Sequence, residues 1–459
     1  MSDQHTLVPD PVEGAARSYK KLGVAFGRRF FLLFIIGLVW VGPALVDTRF
    51  AYAMFAWDAL VLVAWAADLA ALAKPGQLKL TRSWHSPAAL SVKGEVELTL
   101  FNDSDSTVHA VILDTVPPQL SSQPLQVEIS AGARNENRNE YGICPLQRGE
   151  ARFGDAYLRY QSSWHIAERW AKVPLVQSVR IYPNLDEAKR HSIYLMRSRQ
   201  VEVEKRRTRM RGTGREFESL REYREGDEYR DICWTAAARR GKLVTRIYQI
   251  ERSQTIWIVI DSGRLMRARI GKLSKLDYAA NAALSLTQAA LYSGDRVGLL
   301  AYGRGIRHRL PAAKGSAHLR QMIEQLSRVH EEGSEADHLQ TAGLLLASQK
   351  RRSLVVWLTD LAETAMTPEV IEAASLMMPR HLVLFVVIGQ PDLGELAARR
   401  PEDPAQMYQV GAAQEMVHRR ELLLARLRER GALALEVNSG SLSPVLVNSY
   451  LQIKERNQL

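Results

Sequence analysis

Cysteine is almost missing from this chain, with two among 459 residues, Cys144 and Cys233, in neither CxxC nor CxxH spacing. That scarcity excludes a disulfide framework and a structural zinc site, and each thiol reads as a small buried hydrophobe. Enzyme signatures are missing too. The chain has no GxxxxGK(S/T) phosphate loop, no HExxH and no GxSxG nucleophile elbow, and Gly212-Thr213-Gly214 lacks the third glycine of a dinucleotide fingerprint. The sequence gives no positive reason to expect an enzyme or a cofactor. A composition 46% hydrophobic and 24% charged excludes a disordered chain, a collagen-like repeat and a many-span transporter. Neither charge sign dominates: 61 Lys and Arg face 50 Asp and Glu, a net +11 that suits nucleic acid, an anionic membrane or an acidic protein.

What is present begins with apolar sequence. Phe30 to Val46 contains no ionisable residue, and Phe50 to Ala73 is apolar apart from Asp58 and Asp68. With only Asp47, Thr48 and Arg49 between them, the two runs (30–73) read as a transmembrane helical hairpin. The alternative is a buried soluble hairpin. Arg17, Lys20, Lys21, Arg28 and Arg29 precede the hairpin, and Lys74, Lys79 and Arg82 follow it. By the positive-inside rule both termini and all soluble parts are then cytoplasmic, with lipid contacted through the hairpin. Asp58 stands out, because a carboxylate at a span centre costs roughly 2.5–3.5 kcal/mol. An interfacial Asp in a tilted helix is the favoured reading.

After a cytoplasmic segment (1–29) and the hairpin, three regions follow. Residues 77–183 alternate apolar and polar between turn signals such as Asn102-Asp103 and Pro117-Pro118, which predicts a β-sandwich-like domain. His85, His109 and His165 are isolated there. Residues 184–252 are dense in charge of both signs, either a salt-bridged face or an interaction surface. Residues 253–459 alternate strand and helix patterns. Strands are expected at Ile256–Ile260, Val297–Tyr302, Leu354–Leu358, Leu382–Ile388 and Leu433–Val437, with an antiparallel edge at Ile306–Leu310. Helices are expected at Leu273–Tyr292, Ala317–Val329, Leu339–Ser348, Pro368–Met378, Gln414–Arg430 and Pro444–Lys454. That order predicts an α/β domain with a Rossmann-like, doubly wound parallel sheet. Ligands bind at the carboxyl ends of such strands, where Asp261 and Asp360 stand as candidate metal ligands. The competing reading is that each caps the next helix or turn.

Between Arg215 and Arg252 run, in order, Glu216, Leu220, Arg221, Tyr223, Gly226-Asp227, Arg230, Ile232, Trp234, Ala238-Arg239 and Leu243. This pattern, with Pro145, Arg148-Gly149 and Tyr182-Pro183 upstream, resembles the bacterial family catalogued as domain of unknown function fifty-eight. The resemblance implies a membrane hairpin, a β-rich domain and a von Willebrand factor A-like domain. It also implies partnership with a MoxR-type AAA+ ATPase in assembling or activating other proteins. Arg221, Asp227, Arg230, Trp234 and Arg239 are the expected interaction residues, with Trp234 buried among Arg/Glu pairs. A-type domains often carry an Asp-x-Ser-x-Ser metal site with a Thr and a second Asp. Here Gly263 and Leu265 take the serine positions, Ser262 is offset by one, and Glu335-Ala336-Asp337 lacks the Thr. The resemblance therefore implies a degenerate site at Asp261 and Asp360, with Mg²⁺ not expected. The rival functions are an anionic-ligand binder, for nucleic acid or phospholipid headgroups, using Lys205, Arg206, Arg207, Arg209 and Arg211, and a metal-dependent hydrolase. The mixed charge argues against nucleic acid.

Overall fold

The computed structural model describes residues 7–19, 23–120, 125–184, 216–224, 227–249, 253–361, 369–456 and 458. Lys20, Lys21, Gly226 and the basic cluster at 205–211 lie outside the described residues. The chain forms two compact units, Met1–Tyr182 and Pro183–Leu459.

In the first unit, strands β1 (Val12–Ala15), β2 (Arg17–Ser18) and β3 (Val24–Phe26) precede helices α1 (Arg28–Gly37), α2 (Val41–Ala44) and α3 (Arg49–Ala71). Nine strands follow: β4 (Leu78–Trp84), β5 (Gly94–Asn102), β6 (Val108–Asp114), β7 (Leu125–Ala131), β8 (Asn135–Ile143), β9 (Gly149–Phe153), β10 (Ala156–Gln161), β11 (Ala167–Val173) and β12 (Gln177–Ile181). One sheet runs β1-β4-β5-β8 and a second runs β2-β11-β10-β6-β7, with β3 also on β11 and β12 paired with β9. Alternate residues such as Leu80, Leu98, Ile112 and Tyr160 fill the core between them. The N-terminal segment, read from sequence as separate, supplies three of these strands.

The apolar runs differ from expectation. Among the described residues one helix, α3, is long and apolar enough to cross a membrane. Phe30 to Val46 is helical but divided: a 3₁₀ turn at Leu38–Trp40 separates α1 from α2. Pro43 cannot donate into a continuous helix, which favours the break. The two helical segments still pack closely. Trp57 Nε1 donates to the Leu33 carbonyl (2.9 Å), and a Cβ on Gly37 would meet Trp57 and the Asp58 carboxylate within 3 Å.

Arg82, counted from sequence among the topology charges, is wholly buried. Its guanidinium grips Asp114 (Nε to Oδ2, 2.9 Å), donates to the Leu175 carbonyl (2.7 Å) and lies 4.6 Å from the Phe153 ring centre. Tyr141 donates to the same carboxylate at 2.6 Å. The pair ties β4 of one sheet to β6 of the other inside the sandwich.

In the second unit a hairpin of β13 (Glu216–Glu222) and β14 (Val244–Gln249) encloses α4 (Trp234–Arg240). Then come β15 (Thr255–Asp261), the small ribbon β16 (Arg269–Ile270) and β17 (Leu273–Ser274), α5 (Lys275–Tyr292), β18 (Arg296–Tyr302), β19 (Ile306–Ala313), α6 (Ser316–Arg328), α7 (His338–Ser348) and β20 (Leu354–Thr359). The chain ends with α8 (Glu369–Met377), β21 (Leu382–Gly389), α9 (Pro391–Ala398), α10 (Pro404–Glu429), β22 (Leu433–Asn438) and α11 (Leu442–Glu455). The sheet order is β19-β18-β15-β20-β21-β22, with β19 antiparallel and the others parallel. It is a mixed α/β sheet. Consecutive burial along β15, β20 and β21 requires cover on both faces, as their apolar runs predicted. Helix α9 was not foreseen, and α10 begins ten residues early, where Asp403 caps Pro404 by accepting from Gln406 N at 2.7 Å.

Candidate functional site

Ile260 of β15 lies in register with Leu358 of the parallel strand β20, so both chains leave the sheet side by side. Asp261 ends β15, Thr359 ends β20, and Asp360 follows directly after it. The structure thus brings the two acidic residues to one crest, both buried.

The Asp261 oxygens are both engaged. Oδ2 accepts from the Thr359 hydroxyl (2.6 Å) and Oδ1 from the Gly263 backbone N–H (2.7 Å). Burial, with the neighbouring Asp360 charge added, lifts its pKa to about 6. Asp360 faces two cations. Lys275 Nζ donates to Oδ2 at 2.5 Å, and Arg420 Nη2 lies 3.4 Å from Oδ1. Arg420 also donates to Glu436 at 2.7 Å. Lys275 is 1% exposed. It is the first residue of α5, held by a capping box in which Ser274 and Asp277 satisfy each other's backbone N–H. A buried ammonium in such a place requires a fixed anionic partner, and Asp360 is that partner.

The residues around the crest do not fit a magnesium ion. Ser262 Oγ donates to the Tyr302 carbonyl at 2.8 Å. Gly263 packs against Ala336, where a Cβ would come within 3.0 Å of the Ala336 Cβ, and Leu265 offers no oxygen. Arg264, exposed, pairs with Glu335 at 3.4 Å, and Asp337 caps α7 by accepting from Gln340 N. The positive charge that near-octahedral oxygen ligands would hold is here supplied by Lys275 and Arg420. Beneath the crest, Trp357 Nε1 donates to the Tyr302 hydroxyl, which also bonds His338 Nδ1 at 2.8 Å. Burial holds His338 down to about 4.

The five expected interaction residues form a different group. Arg221 Nη2 lies 2.6 Å from Asp227 Oδ1, and Asp227 Oδ2 accepts from Arg224 N at 3.0 Å. That backbone bond first, and the Arg221 charge with it, lower the Asp227 pKa. Arg230 and Arg239 are exposed. Trp234 is 66% exposed on α4, which corrects the expectation of a buried ring. It opens a seven-residue helix in which no residue is buried. Cys144 is exposed rather than buried, and the partly exposed Cys233 thiol accepts from Arg246 at 3.6 Å, which lowers its pKa.

Two further charged sites escaped sequence reading. Asp68, near the end of α3, accepts from Ser162 Oγ (2.5 Å), Ile166 N (3.2 Å) and Ala167 N (2.8 Å), fastening the helix to the β domain. On the outer face of the first sheet His85 Nε2 lies 3.3 Å from Glu140 and 3.7 Å from Glu97. Arg138, 3.7 Å from Glu97, already neutralises part of that charge.

Fold and crest together define an α/β protein with a mixed sheet and a buried charge cluster at its carboxyl edge. Residues 219–417 match the family described as Protein of unknown function DUF58. The uncharacterized protein Rv1480 of Mycobacterium tuberculosis (strain H37Rv) is 25% identical over 203 residues, 42% of this chain and 62% of that protein. The uncharacterized protein YeaD of Bacillus subtilis (strain 168) is 22% identical over 197 residues, 41% of this chain and 45% of that protein. The chain therefore spans less than two thirds of the length of these curated relatives. Among solved structures, the conserved hypothetical protein BatB of Bacteroides thetaiotaomicron is 16% identical at a TM-score of 0.31, covering 44% of this chain and 100% of its own. An aerotolerance-related membrane protein of Bacteroides fragilis gives 15%, 0.30 and the same coverage.

Proposed function

We propose that the chain is a membrane-anchored interaction scaffold without catalytic activity. In this reading α3 and its companion helices anchor it in a bacterial inner membrane, with termini and soluble units cytoplasmic. The second unit acts as a von Willebrand A-like module that works without a divalent cation. Its partner is a MoxR-type AAA+ ATPase, which the family resemblance implies.

The observation that carries the reading is the Lys275 ammonium on Asp360. A crest whose carboxylates are already satisfied by hydroxyl, backbone and cationic groups has no open coordination position for metal-assisted hydrolysis. It keeps a fixed shape for docking. The exposed Trp234, with Arg230 and Arg239 on the same segment, has the composition favoured at interface hot spots.

The test is affinity capture from detergent-solubilised membranes, scored by mass spectrometry for an AAA+ ATPase. Recovery should be equal with and without EDTA and should fall in Trp234→Ala. Failure to recover such an ATPase, or recovery abolished by EDTA, contradicts the proposal. A reporter fused after Leu459 should be active only in its cytoplasmic form; periplasmic phosphatase activity there overturns the orientation.

A further inference from the structure

The loop between β10 and β11 is built into the base of the apolar helices. Arg28 and Arg29 open α1, and the backbone on both sides of this point is tied to the loop. Gly27 N donates to the Ile166 carbonyl (2.7 Å), Arg29 N to the His165 carbonyl (3.3 Å) and Arg29 Nη1 to the Trp164 carbonyl (3.2 Å). Ile166 is buried against Phe30 and Val61, and Asp68 clamps the backbone of Ile166 and Ala167. The loop is thus held at the level of the two arginines. At that level the exposed apolar surface of α1 and α3 begins, with Phe31, Leu32, Leu60 and Val63 all facing outward.

Trp164 sits at the tip of this rigid loop and is 62% exposed. An indole held open to solvent by fixed backbone bonds is poorly placed for a soluble surface and well placed for a bilayer interface. There its ring lies among headgroups, and the neighbouring guanidinium groups meet phosphate. We infer that the Ser162–Ile166 loop is a membrane-interface anchor of the β domain, with Trp164 seated at headgroup depth in a leaflet containing anionic lipid. Two features select this occupant: continuity with the apolar belt of α1 and α3, and the positive charge of Arg28 and Arg29 at the start of α1, where Arg29 is bound to the Trp164 carbonyl. A β domain fastened at this loop and by Asp68 is held in a fixed pose on the membrane rather than swinging from a linker.

The inference rests on α3 crossing the membrane, so the experiment reads both. The full chain, carrying Cys144→Ser and Cys233→Ser, is placed in nanodiscs of phosphatidylcholine with a minority of phosphatidylglycerol. Nitroxide labels are attached singly at Ser163→Cys, Phe55→Cys and Lys93→Cys. Ser163 is exposed next to Trp164, Phe55 faces outward on α3, and Lys93 lies at the far end of β4 and β5 from α3. The ratio of oxygen to nickel-chelate collision rates reports depth. It should be highest at Phe55→Cys and several-fold higher at Ser163→Cys than at Lys93→Cys. Adding Trp164→Ser should bring the Ser163→Cys ratio down toward the Lys93→Cys value. A Ser163→Cys ratio equal to that of Lys93→Cys, with Phe55→Cys still high, overturns the inference and leaves the span standing. Equality of all three overturns the span and the inference together. A ratio at Ser163→Cys unchanged by Trp164→Ser removes Trp164 as the anchor and overturns the inference as stated.

Discussion

Replacing Lys275 by methionine removes one ammonium while keeping the length of the side chain. Asp360 then keeps the Arg420 guanidinium, 3.4 Å away and already shared with Glu436. Breaking a buried pair from one side costs about 3–5 kcal/mol, because the remaining charge is desolvated without its partner. The shared Arg420 places the expected loss near the lower end, about 3 kcal/mol, or roughly a hundredfold in the opening equilibrium. The loss should appear where the pair sits, between the start of α5 and the end of β20. Hydrogen exchange of the full chain resolves this, since peptides from β20 and α5 report on the crest while β10 and β11 serve as an internal control. Lys275→Met combined with Asp360→Leu should be closer to wild type than Lys275→Met alone, because a fully apolar replacement leaves no orphaned charge. A Lys275→Met effect below about 1 kcal/mol, or a double variant worse than the single one, refutes the buried clamp.

Asp68→Ala leaves the buried Ile166 and Ala167 N–H groups without their acceptor, at about 1–3 kcal/mol for each orphaned group; unchanged exchange protection at these two amides would contradict the docking role. Trp234→Ala should stay within about 0.5 kcal/mol of wild type in thermal melts, since the ring is exposed, while capture of the proposed ATPase partner falls. A large loss of stability would return the ring to a core. Two crest groups oppose each other in pH. Asp261, raised from 3.8 to about 6, contributes stability that is full below pH 4 and lost as pH rises to about 6. His338, lowered from 6.5 to about 4, contributes stability that is full above pH 6.5 and lost as pH falls to about 4. Each amounts to about 3 kcal/mol. Asp261→Asn should therefore leave a stability that climbs between pH 4 and 6, and His338→Gln one that declines; identical pH profiles for both variants would refute the assignment.

The parallel core was legible because strands such as IWIVID and LVVWLT are buried on both faces and so run apolar without interruption. The crest aspartates were legible for the same reason, as the first acidic residues at the ends of those runs. Lys275 was not. In sequence it is an ordinary lysine at a helix start, and its partner Asp360 comes 85 residues later. Only the fold brings them together. Arg420 was hidden likewise among the charges of a long helix. Thr359 was overlooked because the hydroxyl was sought beside Ala336, whereas the residue before Asp360 supplies it. At the other end of the chain, Arg82 looked like a flanking charge because nothing local marks a buried arginine; its partner Asp114 lies two strands away in sequence. The short strands β1 to β3 carry too few residues for a period-two signal and form by pairing with β4 and β11.

The central claim is that the protein's own lysine, paired with Asp360, closes the crest to a metal ion. Titration calorimetry of the full chain with Mg²⁺ and with Mn²⁺ tests it directly. The account predicts no saturable heat assignable to the crest, and identical traces for wild type and Asp261→Ala. Micromolar binding of either ion that disappears in Asp261→Ala would contradict it.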